Sequence, residues 1–159
     1  MNKTREVKEN GGTYRPLIGV ALLSLLVCGI LFPLVVTGVS EVVFPYQANG
    51  SLVQLGNRTI GSYSIDNGFT LPIFFHGRNE SNPLNASASG VDPDITLQFA
   101  LFQISGIHNA TGISTSDLTA IVNSHVEKTI ILAGDPYVNV LALNLALISS
   151  YPRVYSAYG

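Results

Sequence analysis

The side chains best suited to chemistry in this sequence are three histidines, His76, His108 and His125, and two aspartates, Asp92 and Asp94. Grouped imidazoles would hold a metal ion. These lie too far apart for a local motif, and no His-Glu-x-x-His pair sets two ligands on one helical face. Asp92-Pro93-Asp94 would offer paired carboxylates for acid–base work. They stand just before a helical pattern, however, where a carboxylate caps the first amides and meets the positive end of the helix dipole, so capping is their expected role. Serines are plentiful but none sits in a Gly-x-Ser-x-Gly elbow, and the glycines form no Gly-x4-Gly-Lys-Ser/Thr phosphate loop. Cys28 is the one cysteine, which excludes an intrachain disulfide and a cysteine zinc cluster. The expectation is a chain that is not an enzyme by itself, with no catalytic residue, metal site or bound cofactor of its own.

Cations that might grip a nucleotide are equally sparse. Beyond the apolar segment described next they are Arg58, Arg78, Lys128 and Arg153, scattered and with no glycine loop between them. The formal net charge of −2 gives no basic field for a nucleic acid. The 159 residues have room for one domain of ordinary size. Charged residues make up only 11 % of them, and the mean hydropathy is +0.35, which points to a membrane.

Residues 17–40 carry no charged side chain. At 1.5 Å per helical residue they span about 36 Å, enough to cross a hydrocarbon core about 30 Å thick. The run is too long for the apolar region of a cleaved signal peptide, so a retained anchor is expected. Lys3, Arg5, Lys8 and Arg15 precede it against Glu6 and Glu9, which by the positive-inside bias puts the tail, 1–16, in the cytoplasm and 41–159 outside. Pro33 removes a backbone donor and is expected to kink the last third of the helix. Gly19, Ser24 and Cys28 recur at four- to five-residue spacing and are expected to let a neighbouring helix come close.

The external part reads as α+β, with short strands first and three helices after. Residues 51–55 and 58–63 alternate on either side of Gly56-Asn57, a hairpin pattern. Residues 69–75 read as a further short strand, made irregular by Pro72. The stretch 80–90 has loop composition. Leu97, Ala100, Leu101 and Ile104 mark a first helix, with Asp94 or Thr96 as cap and Gly106 near its end. Ser114-Thr115-Ser116-Asp117 caps a second, with Leu118, Ile121, Val122 and Val126 on one face and Gly134 as its stop. Asp135-Pro136 opens a third over 137–149, with Val138, Leu141, Leu145 and Ile148 facing the core. Asn79, Asn85 and Asn109, in Asn-x-Ser/Thr sequons and predicted loops, are candidate glycosylation sites. Gln47, Asn49, Gly50 and Ser51 are expected to hold the turn where the chain leaves the membrane.

Detailed residues then match a known family. Arg15-Pro16 and Phe32-Pro33-Leu34 are followed by Phe44-Pro45-Tyr46-Gln47-Ala48-Asn49-Gly50-Ser51-Leu52, by Gly61-Ser62, and by Phe75-His76-Gly77-Arg78. Ala86-Ser87-Ala88-Ser89-Gly90-Val91-Asp92-Pro93-Asp94-Ile95-Thr96, Gln103-Ile104, Val138-Asn139-Val140-Leu141 and Leu143-Asn144-Leu145-Ala146-Leu147 complete the order. The set resembles the C subunit of the Kdp-type potassium-transporting ATPase. That resemblance implies an accessory subunit beside a potassium-channel-like subunit and a P-type ATPase subunit, with potassium and ATP belonging to the complex. It also implies a catalytic chaperone that raises ATP affinity, with Gln103 linked to nucleotide, although the topology puts Gln103 on the side opposite cellular ATP. Pro33, Arg78, Asn139 and Asn144 fall in matched stretches and are carried over as structural or partner-contact residues. Two departures stand out. Most members have a long Gly-rich insertion after the residues matching Gly77-Arg78, and a basic residue after the one matching Gln103, where this chain has Ser105-Gly106. A membrane-anchored surface or pilin-like protein is the alternative from another class.

Overall fold

Apolar side chains on every face of a segment leave it no polar side to turn to water, and residues 14–43 form one such helix in the computed structural model, which describes residues 14–78, 87–128 and 134–158. It comprises α1 (Tyr14–Leu26), a π-helical stretch (Val27–Leu31) and α2 (Phe32–Val43), followed by the single turn α3 (Pro45–Ala48). Tyr14–Val43 is 30 residues long, is unburied by the rest of the chain, and fits a single membrane span. The helix exceeds the expected 17–40 at both ends. The proline's local consequence is visible as a π stretch just before Pro33, where Phe32 N–H donates to Val27 O rather than one residue later. The chain divides into two units, Met1–Ala48 and Asn49–Gly159.

In the second unit β1 (Leu52–Leu55) and β2 (Arg58–Ser62) form the antiparallel hairpin expected from the alternation. Gly56 makes the turn at φ +60°, where a side chain would be strained. Gln54 faces Thr59 and Val53 faces Gly61, so Ile60 is an extra, bulged residue. A second antiparallel pair joins β3 (Asp94–Thr96) to β4 (Tyr137–Asn139), with Ile95 opposite Val138 and both fully buried. Each of these short strands runs straight into a helix, β3 into α4 (Leu97–Thr111) and β4 into α6 (Val140–Ser150). Its last residue is the helix cap: Phe99 N–H donates to Thr96 Oγ1 at 3.2 Å, and Ala142 N–H to Asn139 Oδ1 at 3.2 Å. Between them lies α5 (Thr115–Ser124), capped by Ser114. The core includes Phe74, Phe75 and Ile95 with Ala100, Ile104 and Ile107 of α4, Leu118 and Val122 of α5, Val138 of β4, Val140, Leu143 and Leu147 of α6, and Ile113 and Tyr155.

This mixed α/β architecture agrees with the expected class, but several elements differ in detail. Residues 69–75 are not a strand. Pro72 withholds a donor, and the chain turns instead, with Phe74 N–H bonded to Leu71 O. Helix α4 passes through Gly106 and ends at Thr111, with Gly112 taking the left-handed cap at φ +74°. Helix α5 stops at Ser124, well before Gly134, with His125 N–H bonded to Val122 O. The third helix begins at Val140, because burying Val138 against Ile95 pulls 137–139 into a strand, and its cap is Asn139 rather than Asp135. Its buried side is Val140, Leu141, Leu143, Asn144 and Leu147, while Leu145 and Ile148 are half-buried. Asn109 lies in the last turn of α4 and not in a loop. Asn79 and Asn85 fall outside the described residues.

Candidate functional site

Residues 73–78 run through the domain, and among the described residues no strand pairs with them. Their backbone groups still need partners, because a buried peptide left unpaired is costly. Side chains from three other parts of the chain supply them. Tyr155 Oη donates to Ile73 O at 2.7 Å. Phe75 N–H donates to Asn144 Oδ1 at 2.8 Å, and Asn144 Nδ2 donates to Phe75 O at 2.9 Å. One residue on, His76 N–H donates to Gln103 Oε1 at 2.7 Å, while Gln103 Nε2 donates to His76 O at 3.1 Å. Arg78 Nε donates to Asp94 O at 2.8 Å and lies 3.1 Å from Asp92 Oδ2. A carboxamide carries an acceptor and a donor side by side, so it can bracket one residue as a neighbouring strand would. Asn144 and Gln103 do this for consecutive residues from α6 and α4.

Gln103 lines an open pocket of about 250 Å³ with Pro72, Phe74, His76, Phe102, Ser105, Gly106 and Ile107. No lysine or arginine lines it, so it offers phosphates no fixed cation. His76 turns Nε2 to Leu71 O at 2.8 Å, and because a carbonyl only accepts, that nitrogen carries the proton. His108 and His125 likewise turn Nδ1 to backbone carbonyls, so the three histidines are separate and act as local ties. Among the described residues no group of His, Cys, Asp and Glu is placed to hold a metal ion.

The acidic pair is also structural in geometry. Asp92 Oδ1 accepts from Asp94 N–H at 3.0 Å, while Asp94 Oδ1 accepts from Asn139 Nδ2 at 2.9 Å, tying β3 to β4. Asp94 thus serves the sheet rather than capping α4. Burial pushes its carboxyl above the ordinary aspartate range, and Asp92 and Glu127 push the same way against the Asn139 bond and Arg78. Burial likewise pushes the Tyr155 hydroxyl up to about 12, keeping it a donor to Ile73.

Where the second unit begins, Gly50 and Ser51 adopt φ of +82° and +50°. Ser62 Oγ donates to Gly50 O at 2.6 Å and Tyr63 N–H to Ser51 O at 3.2 Å. Gln47 lies exposed on α3 and Asn49 is exposed one residue beyond it. Asn139 adds a tie from Nδ2 to Tyr63 O at 3.1 Å. Gly19, Ser24 and Cys28 are exposed along the apolar helix. Sequence reasoning missed Asn67 and Tyr155. Asn67 accepts from Ser62 N–H and donates to Ser62 O and Ile65 O, each at 2.9 Å. Its Asn-Gly dipeptide signals a turn, but nothing in the local pattern marks Tyr155.

Residues 14–86 and 81–149 match the family model KdpC, K+-transporting ATPase, c chain. The potassium-transporting ATPase KdpC subunit of Caulobacter vibrioides (strain NA1000 / CB15N) is 32% identical over 186 residues, covering 88% of this chain and 94% of that protein. KdpC subunit 2 of Staphylococcus aureus (strain Mu50 / ATCC 700699) is 32% identical over 182 residues, covering 85% and 97%. The KdpC subunit of Rhodopseudomonas palustris (strain ATCC BAA-98 / CGA009) is 32% identical over 197 residues, covering 87% and 98%. These spans exceed the 159 residues of this chain, so the relatives carry residues that it lacks.

Proposed function

This chain belongs to the KdpC family and so is a subunit of a K+-transporting ATPase, and we propose that it is a non-catalytic accessory that assembles and stabilises the complex. Its partners in this reading are a potassium-channel-like subunit and a P-type ATPase subunit. The helix Tyr14–Val43 stays in the bilayer with its amino terminus in the cytoplasm, and the second unit lies outside. Potassium and ATP are handled by the partners.

The observation that carries this reading is the use of Gln103. Both ends of its carboxamide are bonded to the His76 backbone, and its pocket has no cation. A role as catalytic chaperone, raising the ATP affinity of the ATPase subunit, then works indirectly, through the contacts this subunit makes with its partners. Glycosylation has weaker support at Asn109, whose sequon lies in the last turn of α4.

Affinity purification of the tagged chain from detergent-solubilised membranes tests the assignment. Two larger membrane subunits, and potassium-stimulated ATP hydrolysis that requires them, are the expected result. Filaments of this chain alone would instead mark a pilin-like surface protein.

A further inference from the structure

The apolar helix breaks its own hydrogen-bond ladder at one place. Phe32 N–H donates to the Val27 carbonyl, five residues back, and not to the Cys28 carbonyl as a regular α-helix requires. The amide four residues after Cys28 is therefore spent. The position five residues after it is Pro33, which has no N–H. Pro33 is also the regular partner of the Gly29 carbonyl. The Cys28 carbonyl thus stands without either donor, whereas the Gly29 carbonyl still has the Leu34 amide five residues on, as Val27 has that of Phe32.

Water would satisfy such carbonyls on a soluble helix. Here the Cys28 carbonyl lies near the middle of a 30-residue apolar stretch, and hydrocarbon has no donor to offer. Gly29 beside it carries no side chain, and Leu25 Cδ2 lies 3.7 Å from where its Cβ would be. Leu25 therefore shares the face on which Gly29 lies open. The negative end of the freed Cys28 carbonyl dipole calls for a positive hydrogen on whatever packs there, and a lipid tail carries none.

We propose that the Cys28–Gly29 step is a docking point for a transmembrane helix of another subunit of the ATPase, one that donates a side-chain hydrogen bond from serine, threonine, asparagine or a similar residue. This rests on the assembly reading above and names the contact within it. Pro33 is then a specificity device, because it holds the π stretch open and keeps the Cys28 acceptor available to a partner. The closeness of approach comes from Gly29, and the selectivity from the Cys28 carbonyl.

The test uses the full chain in its native membrane, with a photo-reactive leucine analogue at Leu25. Irradiation should join this chain to a transmembrane subunit of the ATPase. In a Pro33→Ala background the amide returns and a regular helix can form, so the adduct should fall about threefold or more while the chain still co-purifies with the complex. Adducts only with lipid, or with a second copy of this chain, would overturn the proposal. So would an unchanged adduct yield in the Pro33→Ala chain. Failure of the unsubstituted chain to co-purify at all would instead defeat the assembly reading, and this contact with it.

Discussion

Asn144 holds Phe75 by both of its backbone polar groups, accepting from the N–H at 2.8 Å and donating to the carbonyl at 2.9 Å, across 69 positions of sequence. The side chain is fully buried, so no water stands ready to replace either bond. One polar residue in the apolar centre of α6 thereby fixes where the turn at residues 71–74 meets the helices.

Asn144→Leu keeps the volume and removes both bonds. Leaving the Phe75 N–H and carbonyl unpaired should cost about 3 kcal/mol or more. The midpoint of thermal unfolding, followed by circular dichroism on the detergent-solubilised chain, should fall. An unchanged midpoint would mean that the pairing contributes nothing.

Gln103→Ala removes the parallel pair one residue on. It should destabilise the chain by about 1–3 kcal/mol without changing the ATP affinity of complexes that remain folded. Calorimetric titration of the purified chain with ATP at physiological salt should show no saturable heat. Micromolar binding that vanishes in the Gln103→Ala chain would restore a direct nucleotide role.

Two glycines should respond oppositely to alanine. A Cβ at Gly61 would collide with the Asn67 carboxamide, which three hydrogen bonds hold in place, and would also press on Leu141. Gly61→Ala should cost about 1–3 kcal/mol. Gly106 lies exposed inside α4 with nothing within 4 Å of a new Cβ, so Gly106→Ala should stabilise by about 0.5–1 kcal/mol. Chemical unfolding of the two variants side by side reads both signs.

The raised carboxyl of Asp94 makes a pH prediction. A carboxyl whose folded pKa lies above its unfolded value binds its proton more tightly in the folded chain. Its contribution to stability is therefore fully present below the ordinary aspartate value and is lost as pH rises through the folded one. Asp94→Asn keeps an acceptor for Asn139 and removes the charge, so the gap in stability between variant and parent should shift in the variant's favour across that window. A gap that stays constant with pH would show that Asp94 does not titrate differently on folding.

Retention of the anchor has a direct readout. Mass spectrometry of the mature chain should find its amino terminus before Leu17. A start at or after Ser40 would show that the segment had been removed.

Local pattern made much of this fold readable. Alternation about Gly56-Asn57 marked the hairpin, unbroken apolar composition marked the long helix that fits a membrane span, and Ser114 announced α5. What it could not show were pairings distant in sequence. Residues 137–139 carry Val138 in phase with the helix that follows, and only Ile95, more than forty residues earlier, makes them a strand. Likewise 69–75 have strand composition, yet the partners of that region are side chains on α4, α6 and the carboxyl-terminal turns. Among the candidate residues, Arg78, Asn139 and Asn144 were picked out by resemblance alone, and the bonds they make were not legible until the fold brought their partners near. The break at Gly106 failed for a simpler reason: one exposed glycine costs a helix little when its other residues are well packed.

The ties at Arg78 and Ser87 also bear on how this family can vary in length. Arg78 is fastened to Asp94 and Asp92, and Ser87 Oγ accepts from Asp92 N–H at 3.3 Å, so both ends of the intervening chain are pinned beside the same short strand. A span between two fixed posts can lengthen cheaply, since each doubling adds only about 0.6 kcal/mol of closure entropy. Expansion there should leave the bonds of Arg78 and Ser87 in place. The scaffold would then offer a port at which evolution, or an engineer grafting a peptide tag or reporter, could splice new sequence between the two ties.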